Sequence, residues 1–512
     1  MIQSLKQLFL VLLIAWAVFR LAKPIALLFT AESDFSRRRN TWYVVTIAAF
    51  LCPSFLVFAL VVTPFLVAAG RKDSNPGALY LMLMFAVPPF AWRVPMVGIS
   101  FLIDLDFQTL LSFCVMAPVA FRLLKSKQEM PVRRLEALDY SVLAYLILTS
   151  IFFVLPEVGR GVIMTPTLTD CLRRAFESCV EIFVPYYVLS RSSSTRREIQ
   201  ELLAAFCVVC AVMAAIATFE GAKHWLLYAQ IRGQWGPRYN PYLARGESLR
   251  AMASTAHSLT LGYILALAFG LWLCLKSNVK SRFSRVAITV LYWLGLLAAY
   301  SRGPWLGAVL IYFIYTALSR RAASGLFKAA GVSALVAVIV AISPLGDKVL
   351  KVIPYFGGTV DAGNITYRQR LLERSWEIVQ DSPFLGDQHA LSKMEELRAD
   401  GIIDLMNGFM NILLDNGFVG LFLYLSFVLI GLYKAWSLSR QAAEVGEELG
   451  AIGASLVACM LGLMLMMWAG GLIVLEMCIL VAFASACTHL AQMQRRSLTS
   501  TARNNSLIRI QR

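Results

Sequence analysis

The sequence predicts an all-α fold, a polytopic bundle of about 12 to 14 transmembrane helices. Hydrophobic residues make up 58% of the 512 positions and charged residues only 15%, against about 25% charged residues in soluble domains. The mean hydropathy is +0.67. The apolar residues lie in long runs without the alternation that is typical of a lipid-facing β-barrel. These observations exclude a soluble protein and indicate spanning helices.

Thirteen apolar stretches are the candidate spans. A further stretch near residues 8–29 is weaker because Arg20 and Lys23 interrupt it. It also makes a poor signal peptide, since Lys6 is the only basic residue before it and no small-residue cleavage site follows. The thirteen stretches lie at about residues 42–69, 78–92, 105–123, 139–156, 174–190, 201–219, 254–275, 286–301, 303–319, 329–343, 409–433, 450–469 and 471–490.

The distribution of basic residues predicts the orientation of the chain. Lys and Arg number 47 against 31 Asp and Glu, for a net charge of +16. Every second short loop is basic from the C-terminal tail back to Arg71, so the positive-inside rule places the C-terminus in the cytoplasm. The cluster Arg37–Arg39 breaks the pattern, because the span count puts it on the other side. Either the first two segments are wrongly divided or this cluster is a real exception.

The face opposite the basic loops carries two longer polar segments, near residues 220–253 and 344–408. The predicted organisation is therefore a bundle over residues 1–343, a large loop over 344–408, C-terminal spans over 409–490 and a basic tail over 491–512. The large loop is expected to contain short helices. One is predicted from about Tyr367 to Gln380, with Arg368, Leu371, Leu372, Ser375 and Val379 on or near one face.

Several arginines lie on this outer face, where the positive-inside rule disfavours them. Arg245 and Arg250 precede one span, and Arg368 and Arg370 lie in the large loop. Arg302 sits in the tight turn between two spans, with little room to snorkel to the membrane surface. A guanidinium binds two oxygens at once and therefore suits a pyrophosphate. The alternative for most of them is membrane anchoring, and for Arg370 and Arg374 a solvent-exposed pairing with Glu377.

Neither the cysteines nor the histidines indicate a metal or redox site. Eight of the ten cysteines lie inside apolar runs, where a thiol packs as a small hydrophobe. Cys207 and Cys210 form a CxxC pair without the βαβ setting of a redox motif. No Asp, Glu or His cluster has metal-ligand spacing. We therefore expect neither a metal nor another cofactor.

Three stretches resemble the bacterial O-antigen ligase and Wzy-type polysaccharide polymerase superfamily. Residues 297–306 read LAAYSRGPWL, like the family's SRG hairpin. Residues 367–386 read YRQRLLERSWEIVQDSPFLG, like its R…PxxG loop, and residues 404–421 read DLMNGFMNILLDNGFVGL, like the segment that opens the next helix. Each motif is weak singly, but their order around one large loop is fairly specific. The resemblance covers roughly residues 200–435.

The resemblance implies a glycosyltransferase of the bacterial inner membrane with its active site at the periplasmic face. The implied donor is a glycan on undecaprenyl pyrophosphate, and the acceptor is another lipid-linked repeat for a polymerase or lipid A-core for a ligase. A chain-length regulator is a further implied partner, and nucleic acid is not. The family's arginines map onto Arg302, onto Arg368 with Arg370 as a neighbour, and onto Arg250 or, less securely, Arg245.

One departure from the family pattern favours a polymerase. Ligases commonly have a His-Asn pair at the end of the loop, and here Met406 and Asn407 occupy those positions. A thioether cannot accept a proton, whereas polymerase-like members often show Asp-x-x-Asn, as Asp404 and Asn407 do. We expect Asp404 to be the base of an inverting transfer, with His389 and Glu395 as fallbacks; helix capping is an equal alternative for Asp404. A transporter of lipid-linked sugars is the competing class, but no internal repeat is visible.

Overall fold

The computed structural model describes residues 2–96, 101–125, 135–152, 168–235, 244–245, 248–319, 362–387, 389–397, 403, 405 and 407–510. The candidate span at 329–343 and the residues Asp404 and Met406 lie outside the described residues. Nearly all of the described chain is helical, which confirms the all-α class. Two antiparallel ladders of two residues each pair Trp92–Arg93 with Asp104–Leu105 and Ala244–Arg245 with Ser248–Leu249.

The described residues form nineteen α-helices. They are α1 (Ile2–Ala26), α2 (Glu32–Leu51), α3 (Phe55–Lys72), α4 (Pro76–Leu83), α5 (Phe107–Leu111), α6 (Ala117–Lys125), α7 (Ala137–Phe152), α8 (Leu168–Ser178), α9 (Val184–Arg191), α10 (Arg196–Lys223), α11 (Ala229–Trp235), α12 (Ser258–Leu275), α13 (Arg282–Ala298), α14 (Arg302–Leu318), α15 (Ala362–Asp381), α16 (Gly408–Arg440), α17 (Ala442–Val445), α18 (Glu447–Trp468) and α19 (Leu475–Ile510). π-helical turns at Ser112–Met116 and Cys179–Phe183 join α5 to α6 and α8 to α9. A 3₁₀ helix spans Ala390–Leu397.

Eight helices of the described chain are long and apolar enough to cross a membrane. The first of them covers Gln3–Ala26, so the weak N-terminal stretch is long and apolar enough to span despite Arg20 and Lys23. Lys23 is neutralised by Glu32, whose carboxylate lies 2.6 Å from its ammonium. The protein is therefore a multi-pass membrane protein.

The single span predicted over residues 42–69 is wrong, because two helices occupy this stretch. Helix α2 ends at Leu51, and α3 begins at Phe55. Pro53 has no N–H to continue the helix and forces the residue before it out of the helical region, and Cys52 is accordingly extended. The hydroxyl of Ser54 then accepts a hydrogen bond from the N–H of Val57 and caps α3.

This division explains the Arg37–Arg39 cluster. Arg38 is fully buried and donates to the carboxylate of Asp73, at 2.9 and 2.6 Å, and it pairs with Glu201 at 2.8 Å. Asp73 is the C-cap of α3 and follows Arg71 and Lys72, the last two residues of that helix. Glu201 lies near the start of α10. The cluster thus lies with the basic loops, at what we call the basic end of the bundle, and the segments were wrongly divided.

The span predicted over residues 78–92 is also wrong. Helix α4 has eight residues, about 12 Å of rise, and ends inside the protein. Pro88 and Pro89 follow, and neither can extend a helix. The free carbonyl of Phe85 accepts a hydrogen bond from the hydroxyl of Ser254 at 2.6 Å. A broken helix at this depth is tolerated because it is buried in protein.

Small residues allow the central helices to approach closely. A Cβ added at Gly270 of α12 would lie 2.4 Å from the sulfur of Cys459 of α18. One added at Gly307 of α14 would lie 2.4 Å from Met466. Such contacts are typical of helix packing in membranes, where dispersion replaces the hydrophobic effect as the main attraction. All ten cysteines are free thiols, and eight of them are buried.

Candidate active site at the loop end

Arg302 begins α14, at the end of the bundle that carries the outer polar segments, which we call the loop end. The turn before it is tight, since Tyr300 has a φ of 47°. The indole N–H of Trp305 donates to the carbonyl of Leu296 at 2.6 Å and locks the turn against the end of α13. Ser301 is buried but gives α14 no side-chain cap. The first turn of α14 thus presents backbone N–H groups together with the guanidinium, a favourable setting for an anion.

The guanidinium of Arg302 is within range of the positive charge of Arg368. Its Nε is buried and has no hydrogen-bond partner among the described residues. Burial, and second the positive charge of Arg368, lower the pKa of Arg302. No carboxylate of the described chain forms a salt bridge with either residue. Two like charges held together in this way are stabilised by an anion that binds both.

Arg368 is carried by α15, which packs on α16. Leu371, Ile378 and Val379 are buried against Met410 and Leu414 of α16. The predicted helix is therefore confirmed, and so is the burial of Leu371, Ser375 and Val379. Arg368 and Leu372 are exposed and do not belong to the buried face.

The solvent pairing expected on the other face of α15 holds for Arg374, whose guanidinium lies 2.7 Å from Glu377 and 3.5 Å from Glu396. Arg368 and Arg370 are both exposed on α15. The two arginines differ in that the charge of Arg368 acts on Arg302.

The PFLG segment after α15 docks onto a break in α16. Helical geometry is interrupted at Gly417, which has a φ of 59° and a ψ of −165°. The N–H of Phe418 donates to the carbonyl of Pro383 at 2.8 Å, and that of Val419 to Phe384 at 3.2 Å. The break therefore frees backbone donors of α16, and the PFLG carbonyls bind them.

Both glycines at this junction are required by close approach. A Cβ at Gly417 would lie 2.3 Å from the carbonyl oxygen of Phe384, and one at Gly386 would lie 2.5 Å from that of Leu414. Gly386 also has a positive φ, of 73°. The PxxG and Asn-Gly elements of the sequence are thus two halves of one contact, which fixes the loop helix bearing Arg368 to the bundle.

Asn407 caps α16. Its side-chain oxygen accepts hydrogen bonds from the N–H groups of Phe409 at 3.0 Å and Met410 at 3.2 Å. The connection from α18 to α19 passes beside this cap: a Cβ at Gly408 would lie 3.1 Å from Leu472. One at Gly303 would lie 3.5 Å from Ala469 of the same connection. Arg302 and Asn407 therefore flank one loop at the same end of the bundle.

Arg250 belongs to the same region. The N–H of Ala251 donates to the carbonyl of Ala298, at the end of α13, at 3.0 Å. The next two residues donate their N–H groups to the carboxylate of Glu220, which is fully buried. Sequence reasoning missed Glu220, because a single acid at the end of an apolar run gives no signal. The structure describes only the backbone of Arg245, in its ladder with Ser248.

The geometry supports the three residues predicted as bases less well than it supports the arginines. Asp404 lies outside the described residues. His389 and Glu395 belong to the turn that packs on α15, where the N–H of His389 donates to the carboxylate of Asp387 at 2.8 Å. Glu395 is exposed to solvent. The structure gives no contact between these two residues and Arg302.

Besides Glu220, two acidic residues that the sequence did not indicate lie at the loop end. Glu476, in the first turn of α19, and Asp106 line a cavity of about 80 Å³ together with Ser254 and Thr255. Ser254 and Thr255 come shortly after Arg250 in the chain. Glu476 comes after the connection between α18 and α19, which passes beside Gly303 and Gly408. Over the described residues, no group of three or more His, Cys, Asp or Glu side chains could hold a metal ion.

A comparison with protein families finds a match over part of the chain. Residues 287–425 match the family model described as O-antigen ligase, so the chain is similar to that family over this segment. The matched segment includes Arg302, Arg368, Asn407 and both halves of the Pro383–Gly417 contact, while Arg250 lies before it. The resemblance found in the sequence is confirmed. No curated protein matches the chain.

Among its described residues, the matched segment includes the α13–α14 hairpin, which carries Arg302. It also includes α15, which carries Arg368, and the start of α16, which Asn407 caps. The family match supports a glycosyl-transferring membrane enzyme.

Proposed function

We propose that this protein transfers a glycan from a lipid diphosphate to an acceptor hydroxyl at the loop end of the bundle. The observation that carries the proposal is the approach of Arg302 and Arg368 without a carboxylate partner among the described residues. A diphosphate is the anion that two guanidinium forks bind best, since each fork takes two oxygens.

We call Arg302 and Arg368 the diphosphate clamp. Besides this clamp, the transfer requires only a base for the acceptor hydroxyl. When the bond between the anomeric carbon and the diphosphate breaks, the electron pair leaves with the diphosphate, and its negative charge grows. Arg302 and Arg368, with the first turn of α14, stabilise that charge in the transition state more than in the ground state. The acceptor oxygen bonds to the anomeric carbon from the opposite face and loses its proton to a base, which inverts the configuration. We assign the base to Asp404.

We propose polymerisation of undecaprenyl-pyrophosphate-linked repeats, of O-antigen or exopolysaccharide, as the specific reaction. Support comes from Met406, which stands where ligases commonly have a histidine. Ligation of the finished glycan to lipid A-core is the second candidate, supported by the description of the matching family. In both cases the loop end faces the periplasm, and the basic end with the C-terminus faces the cytoplasm of a bacterial inner membrane.

Deletion of the gene distinguishes these functions. The surface glycan of the deletion strain is separated on a gel, and its linkages are determined. Single repeats on the carrier or on lipid A-core are expected and mean that polymerisation is lost. Long chains that remain on undecaprenyl pyrophosphate would identify a ligase instead. Repeats trapped in the cytoplasm would contradict both and indicate a transporter.

A further inference from the structure

A cavity of about 430 Å³ lies at the basic end, between the last turns of α16 and the middle of α19. This volume is within the range of small-ligand sites. Its polar lining includes Glu136, Lys434, Ser437, Gln441, Thr488, Gln492 and Arg495. The cavity is separate from the glycan-transfer site, which lies at the other end of the bundle.

The two cations of the cavity are each held in place by a carboxylate. The ammonium of Lys434 lies 2.5 Å from Glu136, and the guanidinium of Arg495 lies 2.6 Å from Glu444. The other oxygen of Glu136 lies 2.9 Å from the buried ring of His489. The guanidinium of Arg495 also donates to the side-chain oxygen of Gln441 at 2.7 Å. An ammonium has three donors and a guanidinium five, and these contacts fix the position of each group at the cavity. Both can bind the oxygens of a phosphate that enters the cavity.

An exposed apolar stripe on α16 leads to this cavity. Phe422, Leu429, Tyr433 and Trp436 are 68%, 54%, 65% and 46% exposed, and their spacing of seven, four and three residues places them on one helical face. Tyr433 also lines the cavity. From Phe422 to Tyr433 the helix rises about 16 Å, close to the roughly 15 Å of one leaflet's hydrocarbon. The aromatic residues at its end lie where interfacial belts occur.

We propose that the cavity binds the headgroup of an anionic phospholipid, whose acyl chains lie along the stripe of α16. The phosphate is held by Lys434 and Arg495, as in other basic pockets between transmembrane helices. The stripe is the reason for choosing a lipid rather than a free anion, because its length matches an acyl chain. Such a lipid bridges α16 and α19 and stabilises their packing.

The test measures thermal unfolding of the full-length protein in a neutral detergent during titration with phosphatidylglycerol. We expect phosphatidylglycerol to raise the Tm and phosphatidylcholine to leave it unchanged. Lys434→Gln should weaken the apparent affinity at least tenfold. Arg440→Gln is the matched control, because Arg440 is exposed on the same helix end but is not part of the cavity lining, and it should retain wild-type affinity.

A second variant keeps the test decisive if Lys434→Gln does not fold. Ser437→Phe fills the cavity without changing its charge, and it should abolish the response to phosphatidylglycerol. Wild-type binding by this variant would overturn the proposal. So would an equal response to phosphatidylcholine. Stabilisation by inorganic phosphate as strong as that by phosphatidylglycerol would show a free-anion site and overturn the lipid assignment.

Discussion

Arg302 and Arg368 lie close enough for the charge of one to lower the pKa of the other, although they are 66 positions apart in the sequence. One begins a helix of the bundle and the other lies on the loop helix α15. Arg368 is positioned by the docking of α15 onto α16, and under the proposed function the two guanidinium groups bind the diphosphate of the donor.

Replacement of either arginine by alanine should abolish glycan transfer while the protein still inserts into the membrane. The loss of one charge-assisted clamp on the leaving group is expected to reduce the rate at least a hundredfold. Turnover is measured with purified enzyme and lipid-linked donor. Arg374→Ala is the control, because Arg374 is paired with Glu377 in solvent, and it should retain activity. Normal turnover in Arg302→Ala or Arg368→Ala would remove that residue from the clamp.

Substitution of Gly417 should release the loop helix. Gly417→Ala places a Cβ 2.3 Å from the carbonyl oxygen of Phe384, too close for the docked arrangement to persist. The positive φ adds a backbone strain of about 1–3 kcal/mol. We expect faster hydrogen exchange over residues 371–387 and lower transfer. Gly233→Ala is the control, since its Cβ would meet no atom within 4 Å. Unchanged exchange in Gly417→Ala would show that the contact does not hold the loop.

We expect Asn407 to contribute to stability and transfer by capping the N-terminus of α16. Serine also caps helices well, so Asn407→Ser should keep both stability and transfer, while Asn407→Ala should lose about 1 kcal/mol of stability. Thermal unfolding and turnover are measured for both variants. Loss of transfer in a stable Asn407→Ser protein would instead assign the amide a direct catalytic role.

Asp404→Asn should be inactive while donor binding is retained, because the amide cannot accept the proton of the acceptor hydroxyl. Donor binding is measured separately from turnover. If Asp404→Asn is fully active, the base is another residue, and Glu476 at the loop-end cavity is then the first position to replace.

Low pH should weaken a contact among α7, α16 and α19. Glu136, directly before α7, makes this contact with Lys434 of α16 and His489 of α19. The hydrogen bond from His489, and next that from Lys434, hold the pKa of Glu136 at about 2, below its ordinary value of 4.5. A carboxyl with a lowered pKa stabilises the fold above pH 4.5 and loses that contribution as the pH falls toward 2. The Tm should therefore fall between pH 5 and pH 3, and less steeply in Glu136→Gln. Equal slopes would contradict this role; Glu444→Gln, at an exposed pair, is the control.

The loop helix around Arg368 could be predicted because its apolar residues recur at helical spacing and pack on one neighbour. The span over 42–69 could not, since Pro53 lies within a run that is apolar on both sides, and hydropathy alone does not register the break. The face of Leu372 was assigned wrongly for a similar reason: a leucine near a lipid-facing or loop surface is exposed without any change in the pattern.

Composition and periodicity by themselves determined the all-α membrane fold, because burial of apolar surface in a bilayer is a property of each segment alone. Motif order likewise determined the superfamily and named Arg302 and Arg368. Only the tertiary structure decided that the charge of Arg368 acts on Arg302, that Phe418 donates to Pro383, and that Arg38 lies with Asp73 and Glu201. Such pairings join residues far apart in the chain, and their energies depend on distances that no local pattern encodes.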